Sequence, residues 1–152
     1  LINGFNTILI FSPETKTIII VLSNLNTIGY VYDFGCLSNN VAFKMLALTH
    51  NKKVVLPSEK TDQTVSLAIL QEYVGVYDIK PGLTLTITLN NSALRGQFLN
   101  QGKIKLFAES DTIFYSKNPD IQITFLKNND EKVSHIRLWQ NGHELVGQIN
   151  QQ

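Results

Sequence analysis

The chain has 152 residues, 43% of them apolar and 16% charged, with thirteen basic against twelve acidic side chains for a net charge of +1. That length fits one or two small domains, and the charge balance leaves no basic excess for a sequence-independent hold on nucleic acid. One cysteine excludes an internal disulfide and a multi-thiolate metal site, and no apolar run approaches the roughly 20 residues needed to span a bilayer.

The sequence opens at Leu1 with neither an initiator Met nor a signal-like segment, which reads as a piece of a longer protein. Residues 4–11, GFNTILIF, and 17–22, TIIIVL, flank the turn-rich stretch SPETK. Two β-branched runs around such a turn predict a hairpin. Ile18 to Leu22 does not alternate with polar residues, so this strand expects cover on both faces. From about residue 28 to 49, Phe34, Leu37, Val41, Met45 and Leu48 fall at helical steps and predict one apolar stripe. Gly35 and the cluster Ser38-Asn39-Asn40 weaken the first half, which fits a break or late start near Ser38. The helix covers one face of the hairpin, and nothing else in this third covers the other. Residues 51–63 are polar, carry Pro57 and have no period, so they read as a linker. The expected division is 1–50, a terminal hairpin and helix of an incomplete domain; 51–63, a linker; and 64–152, a barrel.

A short helical turn over residues 65–72 leads into a row of strands. Leu83, Leu85, Ile87 and Leu89 face one side and three threonines the other. Further strands are predicted over 93–100, 103–109, 112–116, 121–125, 132–140 and 143–149. Turns at Asn90-Asn91-Ser92, Gln101-Gly102, Asn128-Asn129-Asp130 and Asn141-Gly142 separate several of them. With residues 73–79 as the first, that makes eight. Short connections and one apolar face predict an antiparallel up-and-down barrel. The fold class is therefore mainly β, α+β overall. Val133 and Ile136 cannot share a face in a regular pleat, which predicts a β-bulge near Ser134 and His135.

Catalytic constellations are missing. No Ser-x-x-Lys, Gly-x-Ser-x-Gly, His-x-x-x-His or Cys-x-x-Cys occurs. Cys36 reads as a small apolar residue of the helix, and His135 and His143 as rim histidines on neighbouring strands. No catalytic, cofactor-binding or metal-ligating residue is assigned, and no cofactor is expected. The aromatic set Trp139, Tyr115, Tyr77, Phe98, Phe107, Phe114 and Phe125 fills a barrel core or lines a ligand cavity, the filled core being the simpler account. Arg95 and Arg137 are the two arginines; each suits surface pairing or a carboxylate clamp. Tyr115, Trp139, Arg95 and Arg137 are thus the candidates for a barrel ligand.

Two stretches resemble a known arrangement. Gly4-Phe5, Ile8 to Phe11, Pro13-Glu14-Thr15 and Ile20-Val21-Leu22-Ser23-Asn24 are similar to the last hairpin of the catalytic domain in class C-like serine β-lactamase-related proteins, a group that includes penicillin-binding proteins. Leu70-Gln71-Glu72-Tyr73-Val74-Gly75-Val76-Tyr77 resembles the opening of a lipocalin-like domain often fused after it, eight-stranded and without a settled function. The resemblance implies an upstream catalytic domain of the same chain as partner. It also implies a periplasmic or cell-envelope location in a bacterium, and an accessory role for the barrel in substrate access or self-association. The family's Ser-x-x-Lys, Tyr-x-Asn and Lys-Thr-Gly or His-x-Gly motifs have no match here, so the chain alone is expected to be inactive. Alternatives are a small-ligand-binding barrel and a protein-interaction domain.

Overall fold

The computed structural model describes residues 5–24, 37–140 and 142–150. The chain divides into two compact units, residues 1–56 with 140–142, and residues 57–139 with 143–152.

In the first unit, β1 (Asn6–Ser12) and β2 (Thr17–Ser23) form the predicted antiparallel hairpin. Helix α1 (Leu37–Thr49) packs on one face of it. That face carries the cross-strand pairs Ile8 with Val21 and Ile10 with Ile19, and Ile19 is buried. The helix approaches through small residues. Ser38 and Ala42 are fully buried, and the Ser38 hydroxyl donates to Asn6 Oδ1. This corrects the expected stripe. Val41, Met45 and Leu48 are 40%, 45% and 58% exposed, so the helix buries the side one position round. Both stripes have helical spacing because α1 is apolar nearly all round, and the small residues allow the closer approach to a sheet. Phe34 and Cys36 lie outside the described residues.

The opposite hairpin face is bare. Phe11 pairs with Ile18 and Leu9 with Ile20, and Leu22 lies beyond them on the same face. Leu9, Phe11, Ile18, Ile20 and Leu22 are between 57% and 76% exposed. The unalternating strand thus has one covered face and one uncovered apolar face.

The second unit opens with α2 (Leu67–Glu72), capped by the Ser66 hydroxyl, which accepts from the Ile69 N–H. Nine strands follow: β3 (Gly75–Lys80), β4 (Leu83–Asn90), β5 (Ala93–Phe98), β6 (Ile104–Lys105), β7 (Phe107–Ala108), β8 (Ile113–Lys117), β9 (Asp120–Lys127), β10 (Val133–Gln140) and β11 (His143–Ile149). Their order is β6-β5-β4-β3-β11-β10-β9-β8-β7, an antiparallel meander. The count differs from the expected eight because one segment breaks at Leu106. Up to that point it pairs with β5, and the Leu106 N–H still donates to the Leu94 carbonyl. From Phe107 it pairs with β8. One stretch of chain therefore serves both edges of the sheet and nearly closes it into a barrel. The predicted bulge falls between Val133 and His135.

The interior is packed with side chains. Tyr73 stacks on Phe125 with ring centroids 4.0 Å apart, and Phe114 meets both rings edge-on. Tyr77, Leu85, Ile87, Ile123 and Ile136 are fully buried around them. The Tyr77 hydroxyl donates to the Tyr73 carbonyl at 2.9 Å, and the Tyr73 hydroxyl to the Asp111 carbonyl at 2.9 Å. Leu70, Tyr73 and Tyr77 of the opening motif are thus core residues. At Gly75 between them an added Cβ would stand 3.3 Å from Ile149 Cδ1.

Candidate functional site

Strand register sorts the candidate residues by face. Leu94, Leu106, Ala108, Phe114, Ile121, Ile123 and Phe125 alternate inward and are buried. Their neighbours in the pleat, Arg95, Lys105, Phe107, Tyr115 and Gln122, point outward. Of the predicted aromatic set, Tyr77, Phe98, Phe114 and Phe125 belong to the core. Tyr115 and Trp139 do not share the lumen with them. Tyr115 is opposite Phe107 on one side and Gln122 on the other, and Gln122 is opposite Trp139. The four form one row across the outer face. Arg137 is exposed on that same face, and Trp139 is 49% exposed. Arg95 stands in the next row, opposite Lys105.

The chain between Pro57 and α2 shapes this face. The Gln63 N–H donates to the Ala108 carbonyl at 2.8 Å, and Asp62 Oδ1 accepts from the Ala108 N–H at 2.9 Å. Both free backbone groups of β7 are thereby satisfied, which protects an otherwise open edge. Lys60 lies across the adjoining surface. Its ammonium group donates to Glu109 Oε2 at 2.6 Å and to Gln122 Oε1 at 2.8 Å, and sits 5.1 Å from the Tyr115 ring centroid. The Tyr115 hydroxyl in turn donates to the Lys60 carbonyl at 3.2 Å. Burial, then the Asp62 and Glu109 carboxylates, push the Tyr115 phenol above its ordinary pKa and keep it neutral. With its side chain 13% exposed and its ammonium held by Glu109 and Gln122, Lys60 works as a structural clamp.

Beside the clamp, Phe107 stacks on Tyr115 with centroids 5.6 Å apart. The Lys105 and Lys117 ammonium groups stand 4.5 and 4.9 Å from the Phe107 ring centroid. Arg95 Nε is buried and has no hydrogen-bond partner. Lys60, Lys105, Lys117 and Gln122 escaped the sequence reading because their proximity depends on strand register and on a segment that looked unattached. Outward alternation of Lys103, Lys105 and Phe107 was the available signal. Among the described residues no group of three or more His, Cys, Asp or Glu side chains could hold a metal ion, and no helix is long and apolar enough to cross a membrane.

This arrangement offers cations, an aromatic platform and an amide group. A domain of unknown function (DUF3471) matches residues 59–148, from the clamp to the last strand. Penicillin-binding protein 4* of Bacillus subtilis (strain 168) is 28% identical over 88 residues, 58% of this chain and 19% of that protein. The aligned part thus spans about a fifth of the relative's length. The match over more than half of its residues makes this chain a member of the DUF3471 family.

Proposed function

We propose that this chain is the non-catalytic C-terminal portion of a serine β-lactamase-related hydrolase. In this reading residues 1–50 complete the sheet of an upstream catalytic domain, 51–63 lead across, and 64–152 form a lipocalin-like accessory barrel that shapes substrate access or mediates self-association. The observation that carries it is the bare face of the hairpin. A strand pair that buries one apolar face under α1 and exposes five large apolar side chains on the other suits a sheet whose second face is covered by a packing layer of a larger domain. The likeness to a penicillin-binding protein over a small share of its length supports the same reading.

Incubation of the chain with nitrocefin and with a p-nitrophenyl ester tests it. Hydrolysis at the buffer rate is expected for both, and turnover well above buffer overturns the non-catalytic assignment. The alternative of a ligand held inside the barrel gains no support from an interior filled by Tyr73, Phe114 and Phe125.

A further inference from the structure

We infer that the outer face of the barrel at its closure, around Phe107, binds an oxyanion of linked phosphates. The argument starts from register. Arg95 on β5 is opposite Lys105 on β6. Phe107 is opposite Tyr115, and two residues further along each strand in opposite senses lie Lys105 and Lys117. All three cations therefore fall in one row across the strands, and at about 4.8 Å per strand the row is about 10 Å long. Lys103 is exposed one pleat further along the same segment.

Both lysines bring their ammonium groups to one ring, at 4.5 and 4.9 Å from the Phe107 centroid. A cation–π contact holds a lysine in place and leaves its charge unneutralised. Lys117 has Asp120 as its register partner, and its ammonium stands over the Phe107 ring. Glu109, the other nearby carboxylate, is occupied by Lys60. Among the described residues Arg95, Lys105 and Lys117 form no ion pair, and Arg95 Nε has no acceptor at all. On a chain with a net charge of only +1, this concentration of three cations is local.

The spacing selects the ligand. A single carboxylate is too short to engage the whole row. Two or three linked phosphates match its length, present oxygens to each ammonium as a point charge, and offer the guanidinium a forked acceptor. Contact with the Phe107 ring holds both ammonium groups in place, so that less side-chain entropy is lost on binding.

Titration calorimetry of the whole chain with sodium tripolyphosphate at low ionic strength tests the inference. Saturable one-site binding is expected, weakening as salt is added. Lys105→Ala with Lys117→Ala weakens it at least tenfold, whereas Lys132→Ala, at an exposed lysine of the β9–β10 turn, leaves it unchanged. A parallel titration with ATP separates the sources: equal affinity assigns recognition to the phosphates alone, and tighter binding adds the nucleoside. Absence of saturable binding overturns the site. So does inorganic monophosphate binding as tightly as tripolyphosphate, or an equal loss in the Lys132 variant. Far-ultraviolet circular dichroism of the variants confirms that the barrel is retained.

Discussion

Tyr73, Tyr77 and Tyr115 join the barrel's packing to its polar accounting. Each ring is buried, and each hydroxyl donates to a backbone carbonyl. Burial raises all three phenol pKa values. Nearby acidic groups add to the effect at Tyr115, the Tyr73 phenol group adds to it at Tyr77 by charge repulsion, and Lys127 partly opposes it at Tyr73. An unfolded chain's tyrosines ionise near pH 10. Above that pH the unfolded state sheds protons that the folded state keeps. Stability is therefore whole below about pH 10 and declines as pH climbs towards the raised folded values. Urea midpoints should be level between pH 7 and pH 9 and fall above about pH 10, with absorbance at 295 nm rising together with unfolding. A midpoint unchanged well above pH 10 contradicts this. Tyr77→Phe should make the alkaline decline shallower while lowering the plateau by about 1–2 kcal/mol, since it removes the buried hydrogen bond to the Tyr73 carbonyl.

At the scale of elements, turn chemistry is the adjustable part. Asn91 and Ser92 join β4 to β5 with φ values of 47° and 61°. Two consecutive left-handed residues make the tight hairpin turn that matches strand twist, and asparagine suits the first position. Serine pays for its Cβ in the second. Ser92→Gly should stabilise the barrel by about 0.5–1 kcal/mol, read as a rise in melting temperature of about 2–4 °C. A fall would mean that the Ser92 side chain has a role beyond the turn.

Sequence periodicity exposed those turns, the β4 alternation and the bulge at Ser134, because each is a local conflict or agreement with a period of two. It did not expose the break at Leu106, where Ile104, Leu106 and Ala108 keep a perfect alternation while the pairing partner changes from β5 to β8. Nor did it place Lys60, whose partners Glu109 and Gln122 are 49 and 62 residues away. Local pattern fixes which face a side chain takes. Which strands that face spans is decided by closure of the whole sheet.

At the scale of the molecule, the two units stand in different relations to their own surfaces. The barrel satisfies its edges internally, through the split segment at Leu106 and the attachment of Asp62 and Gln63 to Ala108. The hairpin does not. Leu9, Phe11, Ile18, Ile20 and Leu22 form a contiguous exposed face, and Val41, Met45 and Leu48 add exposed apolar surface on α1. Exposed apolar area carries a free-energy cost of roughly 25 cal/mol per Å², which association of copies relieves. The chain in isolation should therefore self-associate, its mass by light scattering rising with concentration. Leu9→Lys with Ile20→Lys places two like charges directly opposite one another on the bare face. That pair should return the mass to monomer while leaving the barrel's melting transition within about 1 kcal/mol, because the substituted side chains are outside its core. A clean monomer at every concentration before substitution would show that the face is covered by other means. A variant that still associates would move the contact away from the hairpin, and the case for a missing layer over this face would weaken with it.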